Sequence, residues 1–158
     1  MKNKLKLGGY LAIISGLILV IGGVWGISFT YKNVAQEKIV TGEDASIPNA
    51  KVIGPLTLKS QADIIREHTL KITGGKTYAE MPRQIPKLDE KGNEVLGADG
   101  KVVLVENLAR NIWITATSLT TAINLAIMSY AFSGLIILFG LVSLFTGYLF
   151  LGLSKKEN

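Results

Sequence analysis

Cysteine is absent from the 158-residue chain, and histidine occurs once, at His68. The first absence excludes disulfides, cysteine-ligated zinc and iron–sulfur centres, and a thiolate nucleophile. The second excludes the two-histidine facial triad of non-haem iron and the multi-histidine sites common in catalytic zinc enzymes. A Gly-x-Ser-x-Gly elbow is also missing, and Ser118, Ser129, Ser133 and Ser143 all fall in a long apolar region. Serine-nucleophile catalysis therefore has no support in the sequence either.

Charge is missing from two long stretches. Leu7 to Tyr31 is 25 residues without a charge, and an α-helix rising about 1.5 Å per residue needs roughly 20 to cross hydrocarbon. The run ends in bulky Phe29 and Tyr31 instead of a small-x-small cleavage pattern, which predicts a retained anchor over a cleaved signal peptide. Asn111 to Ser154 is uncharged for 44 residues and has no polar turn inside it. Its first part, 114–124, carries five hydroxyl residues and Asn124, whereas 130–153 is almost wholly apolar. This predicts one continuous helix, with 111–127 outside the bilayer and 128–153 spanning it. A re-entrant segment at 112–127 is the alternative, and it requires protein to cover those hydroxyls.

Lysines flank both stretches on their outer ends. Lys2, Lys4 and Lys6 precede the first, Lys155 and Lys156 follow the second, and residues 32–110 carry 12 basic against 11 acidic side chains. Under the positive-inside rule both termini (1–6 and 154–158) are cytoplasmic, 7–31 is the first span, and 32–110 lies on the extracytoplasmic side of the plasma membrane. Tyr10 and Tyr148 then sit at the inner interface, and Trp25, Tyr31 and Tyr130 at the outer one. The net charge of +5 is largely terminal, which suits an anionic inner leaflet and argues against nucleic acid as a partner.

The middle segment predicts a small α+β domain. Residues 37–41 and 50–58 have strand character, and Ser60 with Asp63 suggests a capped helix carrying Ile64, Ile65, His68 and Ile72 on one side. Gly74 and Gly75 end that helix, with Lys71 in its last turn. Lys91-Gly92-Asn93 and Asp99-Gly100 mark one or two hairpins within 84–105, and no internal repeat is evident. The expected fold is a mainly α membrane protein. Two antiparallel transmembrane helices, the second prolonged into a long extracytoplasmic helix, carry a small α+β insert.

Gly75-Lys76-Thr77 resembles the end of a phosphate-binding loop, but the required glycine five residues earlier is Leu70, and a helix replaces the preceding strand. A helix C-cap followed by Thr77 as the N-cap of a turn through Glu80 accounts for these residues, so no nucleotide is expected. His68 could gather Asp63, Glu67 and Glu80 around a metal, but one histidine and no Asp-x-Asp-x-Asp-Gly spacing leave it more simply a packed histidine. No metal and no cofactor are expected.

Small residues recur every seven positions: Gly9, Gly16 and Gly23 in the first span, then Ala126, Ser133, Gly140 and Gly147 in the second. Such strips let two helices approach closely in lipid, where packing drives association, either within one chain or between subunits. Ile112, Ala116, Leu119, Ile123, Ala126 and Tyr130 continue the pattern at coiled-coil spacing, so this seam too must bury against the 60–72 helix or another subunit.

Gly54-Pro55, Ala62-Asp63-Ile64-Ile65, His68, and Thr73 through Glu80, set between two spans, resemble a group of small two-span membrane proteins. The group occurs in actinobacteria and their relatives and is often labelled aromatic ring-opening dioxygenase. The resemblance implies a membrane protein whose exposed motif, including Asp63, His68, Lys76 and Tyr78, is a surface candidate without an assigned catalytic role. The dioxygenase label is incompatible with a single histidine. The hairpin region 84–105 departs from the group, in which a shorter link is expected.

The sequence therefore predicts a non-enzymatic accessory or structural membrane protein, with the lipid bilayer and other subunits or copies of itself as partners. The alternative is an extracytoplasmic ligand-sensing module. An enzyme has the least support.

Overall fold

The computed structural model describes residues 2–156; Met1, Glu157 and Asn158 of the expected cytoplasmic ends lie outside the described residues. It is mainly helical, with 68% helix and a small two-stranded sheet. The elements are α1 (Lys2–Gln36), α2 (Pro55–Ile72), a 3₁₀ turn (Tyr78–Glu80), β1 (Gln84–Pro86), β2 (Leu104–Glu106) and α3 (Leu108–Lys156). Both α1 and α3 are long and apolar enough to cross a membrane.

Helices α1 and α3 pack along most of α1, and the contact is built from small residues. A Cβ added at Gly16 would lie 2.8 Å from the Gly140 carbonyl oxygen, one at Gly9 3.1 Å from that of Gly147, and one at Gly23 2.8 Å from that of Ser133. Backbone thus meets backbone at three successive heptads. Ser143 Oγ donates to the Ala12 carbonyl at 2.8 Å, and the hydroxyls of Thr30 and Ser129 lie 2.6 Å apart. Ala126, one heptad further, packs with Val34 of α1 against the buried cluster that α2 shares with α3.

Helix α3 starts earlier than residue 111. Asn107 Oδ1 accepts the Ala109 amide at 3.2 Å, which caps the helix and sets its first turn at Leu108. Forty-nine residues then run without interruption, about 73 Å at the α-helical rise.

The segment between the helices, residues 37–107, forms a head whose core sits where α1, α2 and α3 meet. Val52, Leu58, Ala62 and Ile123 are buried there, flanked by Val34, Ile39, Ile65, Ala126 and Tyr130. The coiled-coil seam is thereby covered in part: Ala116 and Ile123 are buried, whereas Ile112 and Leu119 remain 40% and 49% exposed.

Two expected strands do not form. Residues 37–41 and 50–58 contribute only an isolated bridge between Val40 and Lys51, and the second run turns helical at Pro55. Proline at the first helical position needs no amide partner, and Thr57 Oγ1 accepts the free amides of Ile53 and Gly54 at 3.2 Å. Ser60 is consequently an interior residue and not the cap. It is 2% exposed, and its Oγ accepts hydrogen bonds from Ser46 Oγ and the Ile47 amide at 2.9 and 3.0 Å. Ser60→Ala should cost about 1–3 kcal/mol, because the Ile47 N–H is left without its acceptor. A denaturation midpoint equal to that of the unaltered protein would show the loop to be held by other means.

The hairpin region holds a repeat hidden in the sequence. Residues 89–93 and 97–101 close the same way: Gly92 N–H donates to Asp89 O and Gly100 N–H to Gly97 O, and both glycines have positive φ (84° and 75°). Three residues spaced by eight then bond in a ring, Lys87 N–H to Val103 O, Val103 N–H to Val95 O and Val95 N–H to Lys87 O. β1 and β2 form the third arm, antiparallel with Ile85 opposite Val105.

Candidate functional site

Each residue expected to surround His68 has another partner. Asp63 pairs with Lys59 at 2.5 Å, Glu67 with Lys71 at 2.7 Å, and Glu80 caps its own turn by accepting the Thr77 amide at 2.7 Å. His68 Nε2 instead meets Asp44 Oδ2 at 2.6 Å, across 24 residues of chain. Both side chains are at least half exposed, so the pair tethers the loop before α2 without forming a buried site. The hydrogen bond to His68 holds the Asp44 carboxyl below its ordinary range, and the Thr77 amide does the same for Glu80. Among the described residues no three Asp, Glu or His side chains gather where an ion could be held. His68 and Ile72 face outward, because the buried side of α2 runs through Leu58, Ala62, Ile65 and Thr69.

Gly74 and Gly75 end α2 as expected, both at positive φ, with the Gly75 amide on Leu70 O at 2.8 Å. Lys76 is exposed beyond them, and the Thr73 hydroxyl bonds its carbonyl at 2.7 Å. This geometry closes a helix, and its amides are turned back onto the helix end instead of curling around an anion.

Tyr78 belongs to a different assembly. The three arginines of the chain, Arg66, Arg83 and Arg110, line neighbouring grooves along α3 together with Tyr78 and Trp113. The Arg110 guanidinium stacks over the Tyr78 ring at 3.9 Å, and that of Arg66 lies over Trp113 at 5.8 Å. Arg110 Nη1 also donates to Met81 O at 3.4 Å, and Asn107 Nδ2 to Pro82 O at 3.0 Å, so the start of α3 fixes the segment that carries Arg83. Two open grooves flank this face. One, of about 330 Å³, runs between α2 and α3 past Asp63, Arg66, Trp113 and Thr117. The other, of about 480 Å³, holds Arg83, Arg110, Tyr78, Gln84, Asn111 and Glu106. A shallow patch containing Tyr78, Trp113 and Ile114 joins them.

The charges here are uneven in use. Lysines 59, 71 and 101 are each matched with a carboxylate close by in the chain. No arginine forms an ion pair among the described residues, and the guanidinium of Arg83 makes no hydrogen bond among them. Sequence reasoning reached Tyr78 and Asp63 on this face but missed Arg66, Arg83, Arg110 and Trp113. Compared with known proteins, the chain matches no family model, and no curated protein and no solved structure matches it.

Proposed function

We propose that the chain is a two-span membrane protein, non-enzymatic, that holds its head outside the membrane as a docking element of a larger complex. The supporting observation is the mismatch between contact and exposure. On α1 the buried residues are Gly9, Gly16, Gly23 and Thr30, while Ile18 and Ile21 on the opposite surface are 65% and 68% exposed. Apolar surface of this extent in water is strongly unfavourable, at about 25 cal/mol per Å², and lipid removes the cost. Lysines 2, 4 and 6, with Lys155, mark the cytoplasmic ends in this reading. The arginine–aromatic face then stands clear of the bilayer. Arg110 precedes Met128 by 18 residues, about 27 Å of helix.

The composition of that face favours docking over catalysis. Tryptophan, tyrosine and arginine are the residues that most often dominate protein–protein binding energy. Their rings and guanidiniums are already ordered by stacking, which lowers the entropy lost on binding.

Two measurements test the reading. A single cysteine at Ser46 in the otherwise cysteine-free chain should react with a membrane-impermeant maleimide in intact cells, whereas one at Lys6 should react only after permeabilisation; the reverse pattern inverts the topology. Native purification from membranes, followed by mass spectrometry, should recover a stoichiometric second polypeptide or a homo-oligomer. A monomer alone at all detergent concentrations would remove the docking role.

A further inference from the structure

We infer that the groove between Arg83 and Arg110 binds an acidic, extended segment of a partner polypeptide through its carboxylates. This inference rests on the docking reading above and specifies the chemistry of the partner.

The argument starts from the guanidiniums. Arginine presents a planar fork of donors suited to a carboxylate, and it has no acceptor of its own. Arg83 and Arg110 line one groove and neither is neutralised by an ion pair among the described residues. Arg110 is held over Tyr78 and tied to Met81 O, so its position is set before any ligand arrives. Arg83 follows Pro82 and precedes β1, both anchored to Asn107 through the Pro82 carbonyl and the Asn107 amide on Arg83 O at 3.1 Å.

The remaining lining separates a peptide from other anions. Gln84 and Asn111 offer both donors and acceptors, and Glu106 is an acceptor. A phosphate-rich polymer presents acceptors almost alone; it would leave the amide carbonyls unmatched and would be repelled by Glu106. A peptide bearing Asp or Glu supplies carboxylates for the arginines and backbone N–H groups for Glu106, Gln84 and Asn111. Ile114 on the groove wall, with Tyr78 beside it, adds an apolar contact for an adjacent side chain.

The test uses the full chain in nanodiscs of zwitterionic lipid, so that no lipid anion competes. The probe is an array of dodecapeptides carrying zero to six Asp or Glu residues among Gly, Ser and Leu. Binding should rise with carboxylate number, and replacing every Asp and Glu by Asn and Gln should abolish it. Arg83→Gln should weaken the best peptide about tenfold, the effect of losing one charge-assisted hydrogen bond set. Arg83 is exposed and its guanidinium makes no hydrogen bond or ion pair among the described residues, so this variant should stay folded even if Arg110→Gln does not. Lys101→Gln, on the far hairpin, should change nothing. Binding that ignores carboxylate number, or that survives Arg83→Gln and Arg110→Gln unchanged, overturns the inference. Displacement of the peptide by inorganic polyphosphate at lower concentration than by free acidic peptide overturns it in favour of a phosphate ligand. Flotation of the same nanodisc sample reads membrane insertion independently, so failure of peptide binding is distinguishable from failure of the anchored-docking reading.

Discussion

Gly16→Leu and Gly140→Leu should each force α1 away from α3. A Cβ at Gly16 would stand 2.7 Å from Leu144 Cγ, 2.8 Å from Gly140 O and 2.9 Å from the Leu144 amide nitrogen. At Gly140 the same addition meets Gly16 O and the Val20 nitrogen, both at 2.9 Å. Two of the three obstacles in each case are backbone, which cannot rotate away as a side-chain tip can. Overpacking typically costs 1–3 kcal/mol, and rigid backbone contacts place these variants at about 3 kcal/mol or above. Gly22→Leu and Gly134→Leu are the controls, since a Cβ at either meets nothing within 4 Å. The readout is disulfide trapping between Thr30→Cys and Ser129→Cys, whose hydroxyls are 2.6 Å apart. Trapping should fall sharply with a leucine at Gly16 or Gly140 and stay unchanged with one at Gly22 or Gly134. Equal trapping in all four would mean that the seam tolerates separation and that the glycines serve another contact.

The seam was legible from sequence because heptad spacing of small residues is a local signal with one geometric meaning: a strip on a helix face. Gly9, Gly16, Gly23, Ser133, Gly140 and Gly147 meet in antiparallel order in the structure. The head was less legible, because its contacts compete with local propensity. Val52 and Ile53 give 50–58 strand character, but Pro55 after Gly54, with the Thr57 hydroxyl on two free amides, starts a helix there. Ser60 has the composition of a cap, yet its acceptor serves a loop 13 residues earlier. The eight-residue repeat is hidden in the sequence because Asp89 to Asn93 and Gly97 to Lys101 share backbone geometry while differing in side chains at most positions. The arginine cluster could not be read from the sequence at all. Arg66, Arg83 and Arg110 are separated by 17 and 27 residues and occupy a helix, an extended segment and a second helix. Only the docking of α2 and of the 78–83 segment against the start of α3 brings them together.

That docking depends on Leu58, and Leu58→Ala is expected to loosen α2 from α3 while leaving the helix pair closed. Leu58 is 2% exposed and lies between Val52 on the loop, Ala62 on its own helix and Ile123 on α3, so its isobutyl group joins three segments. Truncation of a buried leucine costs roughly 2–5 kcal/mol, the spread reflecting how far the surroundings collapse. Collapse is hindered here on two sides. Tyr130 donates to Ile53 O at 2.7 Å and Ser60 holds Ile47 at 3.0 Å, so neither the loop nor α2 can move inward without breaking a hydrogen bond. The cost should therefore fall in the upper part of that range. Leu56→Ala, two residues earlier on the same helix and 76% exposed, should change stability little. Amide hydrogen exchange of the nanodisc-embedded protein separates the outcomes. Leu58→Ala should accelerate exchange across α2, release Arg66 from its place over Trp113, and leave Thr30–Ser129 disulfide trapping intact. Should trapping fail together with α2 protection, the head and the helix pair would be one cooperative unit; should α2 protection survive, the helix would be held by its polar ties to the 41–53 loop and not by the core.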